Sequence, residues 1–157
     1  MCGISGVIYK KSRTEGLAPI GEDLVRMLNS LAHRGRDSTG FTVVGEDTGN
    51  DLIIRLWTGN ATNAENIMGR SEDAVTRVGG VVKSRRSWGD FLRLTANYEG
   101  EISSLAESLI DTEGIELHSI GRTSEVVKDV GTAIVMDRKH DIGQIRGTHG
   151  IGHVRMA

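Results

Sequence analysis

Cys2 is the only cysteine among 157 residues, and one peptide bond separates it from the initiator methionine. A free thiol has a pKa near ~8.5, so thiolate is available at neutral pH, and it is an intrinsically strong nucleophile. Removal of Met1 would give Cys2 its own base. A free α-amine with a pKa of about 7.7 to 8.0 can take up and return a proton near neutrality. Nucleophile and base would then sit on one residue. The plain alternative is a small hydrophobe with no chemical role.

Two other stretches hold groups able to act on a substrate. "LAHRGRDSTGF" runs from Leu31 to Phe41 and "GTHGIGHVRMA" from Gly147 to Ala157. Arg155 offers a planar fork that suits a carboxylate, or it is a strand-surface cation. Arg34 is a pocket residue or a helix-end charge answering the macrodipole. His149 and His153 are four apart, but Gly150 and Gly152 argue against a shared helix and no further ligand type is at hand, so no metal is expected. The glycines of "GTHGIGH" lack the following helix and lysine of a phosphate loop, so no nucleotide cofactor is expected either.

The elements that must carry these residues alternate along the chain. Ile4–Tyr9 reads as a strand and Lys10–Gly16 as a loop. Leu24, Val25, Leu28, Leu31 and Ala32 place an apolar stripe on a helix from Glu22 to Ala32, stopped at Gly35. Gly40–Val44 and Leu52–Trp57 read as an antiparallel pair joined by a turn. "NATNAENIMG" reads as a capped helix ending at Gly69. A short helix is expected around Phe91–Leu94, with "KSRRSWG" before it as a solvated basic loop or, alternatively, a docking surface. A longer helix is expected over Ile102–Ile110, a strand over Ile115–Ile120, and a helix over "TSEVVKDVG" ending at Gly131. The last stretch alternates as a strand, with Ile151, His153 and Arg155 on one face. The fold class is α+β with antiparallel strands under helices.

Composition limits the alternatives. The chain has 38% hydrophobic and 25% charged residues and a net charge of -2. Such a balance gives no reason to expect nucleic acid or a membrane surface as partner. No apolar run approaches the ~18 residues of a membrane span, and the first residues do not form a signal peptide. A lone cysteine fits a reducing, cytoplasmic setting.

Taken together, "MCGISGVIY", "HRGRDSTG" and "GHVR" resemble the class II glutamine amidotransferases, whose glutaminase domain is an N-terminal-nucleophile (Ntn) hydrolase. The resemblance covers both ends of the chain and the order of the first ~60 residues, and fits poorly between residues 69 and 146. It implies an αββα sandwich of antiparallel sheets forming one glutaminase domain over 1–157, incomplete in this chain. It implies that Cys2 attacks the side-chain amide of glutamine, that Arg155 clamps the substrate α-carboxylate, and that Arg34 and Gly35 form a turn against the nucleophile. Asp37 and Ser38 would brace that turn.

The ammonia would go to a synthase domain or subunit within a larger assembly. "GTHGIGHVRMA" is most similar to glutaminase subunits associated with glutamate synthase. Amidophosphoribosyltransferase and hexosamine-phosphate synthase glutaminase domains are the alternatives, and a non-catalytic Ntn-like scaffold is another. In the family an Asn-Gly pair and an amine-binding Asp follow the arginine motif. No asparagine in this chain is followed by glycine. A chain cut short there is expected to leave the Gly150–Met156 strand as an unpaired sheet edge.

Overall fold

A computed structural model describes residues 1–10, 16–59 and 64–156. Contacts divide the chain into two compact units, one of residues 1–46 with 123–157 and one of residues 47–122.

The first unit is a four-stranded antiparallel sheet under two helices. Its strands are β1 (Gly3–Ile8), β2 (Ser38–Val44), β7 (Ser124–Val130) and β8 (His149–Arg155), in the order β1-β8-β2-β7. Helix α1 (Ile20–Ser30) lies on one face, and α4 (Ala133–His140) follows β7. The apolar stripe of α1 buries Ile20, Leu24 and Leu28 with Phe41, Val43, Val127 and Val154. Fully burying each such side chain stabilises the fold by about 1.5–3 kcal/mol. The glycines of β8 make this approach possible. A Cβ on Gly152 would lie 2.3 Å from Leu28 Cδ1, and one on Gly150 would lie 2.8 Å from Leu24 Cδ1. Two of the glycines in "GTHGIGH" therefore serve helix-on-sheet packing.

The second unit repeats the scheme. Strands β3 (Asp51–Trp57), β4 (Val81–Trp88), β5 (Phe91–Asn97) and β6 (Glu116–Gly121) pair in the order β4-β5-β3-β6. Helices α2 (Ala64–Arg77) and α3 (Ile102–Ile110) supply Ala74, Val75, Leu105 and Leu109 to a core with Leu52, Ile54, Leu56, Leu92 and Leu94. Both units are mixed α and β with antiparallel sheets, as the alternating pattern implied.

Several local expectations fail for identifiable reasons. The segments 40–44 and 52–57 do not pair with each other. β2 lies between β8 and β7, while β3 lies between β5 and β6. The polar link between them permits a hairpin, but each strand gains two partners elsewhere. "TSEVVKDV" is strand β7 rather than helix, because Glu125 and Val127 alternate inward between more exposed Ser124, Val126 and Lys128. The helix comes next, with Thr132 at its N-cap.

Phe91–Leu94 is the start of β5, whose Leu92, Leu94 and Ala96 all face the core. "KSRRSW" is not a loop but part of β4, at the sheet edge, with Lys83 paired to Asp51 and Arg85 to Glu72. Helix α2 continues through Gly69 to Arg77, because buried Ala74 and Val75 outweigh the roughly 1 kcal/mol propensity loss of one glycine. The cap expected at the start of "NATNAENIMG" and most of the Lys10–Gly16 loop lie outside the described residues. Strand β8 is not an edge. It lies between β1 and β2 and pairs with both.

Candidate active site

Three sequence-distant motifs meet at one end of the first unit's sheet. β1 and β8 run antiparallel with Gly3 opposite Val154. Cys2, the residue just before β1, and Arg155, the last residue of β8, are therefore the next positions outward. Both are exposed. On the other side of β8, Arg155 is paired with Ser38, the first residue of β2. The alternation of β8 fixes which way its side chains go. Val154 faces α1 and is buried, so Arg155, like His153 and Ile151, belongs to the opposite face.

The "HRGRDSTG" motif reaches the same place from the helix side. α1 ends at Ser30, a single turn of 3₁₀ helix covers Ala32–Arg34, and Gly35 follows in extended conformation. The turn takes the chain directly across the end of β8. A Cβ on Gly35 would stand 2.5 Å from the carbonyl carbon of Arg155, 2.7 Å from its oxygen and 2.8 Å from its nitrogen. No side chain fits there, which gives the glycine of this motif a steric reason. Two residues on, the Asp37 amide donates to the Arg155 carbonyl at 3.1 Å. Arg34 precedes the contact and is exposed.

Thus Cys2, Gly35 and Arg155, with Arg34 one residue away, are gathered at a single sheet end. A thiol and a guanidinium carried by residues at one sheet end have the chemistry to attack a carbonyl carbon and to hold an anionic group of the same molecule. The terminal amine belongs to Met1 and lies 3.6 Å from Met156 Sδ. The Cys2 nitrogen is an amide as long as Met1 is attached.

One turn of sheet inward, Ile4, Gly40, Thr42, Val126, Ile151 and His153 border a shallow pocket of about 190 Å³ on the same face as Arg155. His149 and His153 share that face but stand four strand residues apart, a separation of about 13 Å. Among the described residues, no group of three or more His, Cys, Asp or Glu side chains could hold a metal ion. No described helix is long and apolar enough to cross a membrane.

The sequence reading missed Thr39 and Gly131. Thr39 is 2% exposed, and its hydroxyl donates to the Gly131 carbonyl at 2.7 Å. The Gly131 amide in turn donates to the Asp37 carbonyl at 2.8 Å. A polar residue in a buried strand position was the available signal for Thr39. The misreading of β7 as a helix hid Gly131.

Near the same end, Asp129 accepts from Lys139 Nζ and from the Val130 amide, and pairs with His140 Nε2 at 3.2 Å. Burial pushes its carboxyl pKa up, but the hydrogen bonds from Lys139, His140 and Val130 outweigh burial and hold it below the usual carboxylate range. In α1, Asp23 accepts from the Tyr9 hydroxyl, and that bond is the main reason the phenol pKa is raised.

No family model matches the chain. Over its whole length it is similar to two curated proteins. It is 28% identical to a "Putative glutamine amidotransferase" of Methanothermobacter thermautotrophicus, covering 52% of that protein. It is 26% identical to the "Glutamine amidotransferase-like protein GlxB" of Rhizobium meliloti, covering 50% of it. The chain spans about half the length of these curated relatives, and both carry glutamine amidotransferase names.

Proposed function

We propose that this chain is the glutaminase part of a glutamine amidotransferase of class II, acting through an N-terminal cysteine. The observation that carries the reading is the meeting of "MCG", "HRG" and "HVR" at one sheet end, with Cys2 just before β1 and Arg155 at the end of the neighbouring β8. The names of the two relatives favour the same substrate class.

In this reading Met1 is removed and the freed α-amine takes the Cys2 thiol proton. The thiolate attacks the side-chain amide carbon of glutamine. The tetrahedral adduct collapses to a thioester, and ammonia leaves with the proton returned by the amine. Water, deprotonated by the same amine, then releases glutamate and restores the thiol. Arg155 holds the substrate α-carboxylate with a bidentate fork, and its charge separates glutamine from an uncharged amide. Arg34 lines the turn beside it, and Gly35 lets that turn pass across Arg155. In this reading the enclosing fold is of the Ntn-hydrolase class.

The ammonia passes to a synthase domain or subunit, of the glutamate synthase type in preference to the amidophosphoribosyltransferase or hexosamine-phosphate synthase type. The preference rests on "GTHGIGHVRMA". The test is glutamate release from glutamine by the natural protein and by Cys2→Ala. The proposal expects release from the first and none above background from the second. Equal release from both, or none from either, overturns it.

A further inference from the structure

Arg155 lies where β8 runs out of partners. Its pairing with β1 has ended at Val154, and its pair with Ser38 is the last with β2. Its carbonyl accepts instead from the amide of Asp37, which stands one residue outside β2. The carbonyl of Asp37 accepts from the amide of Gly131, which stands one residue outside β7. The carbonyl of Gly131, a residue at φ 110°, accepts from Thr39 Oγ1. The ends of β8, β2 and β7 are thus joined in series through Asp37 and Gly131, each one residue beyond its strand. The series terminates on a buried side chain of the central strand β2.

We infer that Thr39 is a positioning residue for Arg155, its hydroxyl fixing the Gly131 peptide that holds Asp37 and hence the backbone of the arginine. The inference rests on the reading of Arg155 as the carboxylate clamp. A guanidinium at the end of a long side chain carries any shift of its Cα to the ligand. Such a shift weakens the hold on a carboxylate that is gripped alike in ground and transition states, so it falls on KM rather than kcat. Cys2 precedes β1 and takes no part in the series, so its chemistry is left in place.

The test compares the natural protein with Thr39→Val, which keeps the shape and removes the donor, and Thr39→Ser, which keeps the donor. If Thr39→Val does not fold, Thr39→Ala, which also removes the donor, replaces it. Amide hydrogen exchange is read at Gly131 and Asp37, with Thr42 in the middle of β2 as internal control. KM and kcat for glutamine are read beside it. Thr39→Val is expected to speed exchange at Gly131 and Asp37 but not at Thr42, and to raise KM about threefold to tenfold at unchanged kcat. Thr39→Ser is expected to restore both.

Unchanged exchange at Asp37 overturns the inference, whether or not the protein consumes glutamine. Faster exchange with unchanged KM, in a protein that hydrolyses glutamine, overturns it as well. Faster exchange in a protein inert toward glutamine refutes the proposed function alone and supports the hold of Thr39 on the strand end.

Discussion

Gly35 and Arg155 meet backbone to backbone, so closely that a methyl group on Gly35 would stand 2.5 Å from the arginine carbonyl carbon. Neither partner is a flexible side-chain tip that could swing away. Gly35→Ala must therefore push the end of β8 outward or move the 3₁₀ turn. Overpacking of this kind costs about 1–3 kcal/mol. The expected result is a lower melting temperature together with a raised KM for glutamine, since the displaced residue is the proposed clamp. Calorimetry and steady-state kinetics on the alanine variant check this. A variant with native stability and native KM would show that the turn yields freely.

Arg155→Lys keeps the charge but loses the two parallel donors. Glutamine binding is expected to weaken by about tenfold or more, with most of the loss in KM, because the α-carboxylate does not change during reaction. The measurement is kcat and KM for glutamine in both forms. A collapse of kcat at constant KM would place Arg155 at the reacting centre instead.

Asp129 links β7 to α4 through Lys139 and His140. Its carboxyl pKa is held below the ordinary range, so the ionised form stabilises the fold. That stability is fully present above the unfolded value of about 3.9 and is lost as pH falls through the lower folded value. In thermal melts the natural protein should melt higher than Asp129→Asn at about pH 5. The difference should vanish below the folded pKa. The comparison is read below about pH 5, because His140 touches Asp129 and its titration is coupled to the substituted carboxyl. A gap that persists unchanged at about pH 2 would mean that shape, not charge, makes the brace.

Much of the candidate site was legible because its signals are local. A cysteine beside the N-terminus, a stripe over α1 that stops before His33, and a glycine-alternating strand ending in Arg155 each follow from spacing within a dozen residues. The pairing that brings them together was not legible. Nothing in residues 40–57 says that β2 will take β8 and β7 as neighbours while β3 takes β5 and β6. A short polar link suits a hairpin equally well. β7 was misread because Thr123 and Gly131 bracket it as a helix would be bracketed, while the inward alternation of Glu125 and Val127 gains meaning only against α4 and β2. Thr39 escaped notice for the same reason, since its partner lies 92 residues away.

Cys2 as an N-terminal nucleophile is the centre of the proposed function. The most direct measurement is the intact mass of the natural protein after exposure to a glutamine-mimicking electrophile such as diazo-oxo-norleucine, followed by peptide mapping. The account predicts loss of Met1 and a single adduct on Cys2. It also predicts that a form in which Met1 is retained by a blocked extension forms no adduct. Labelling at another residue, or equal labelling of Cys2 with Met1 still attached, would contradict it.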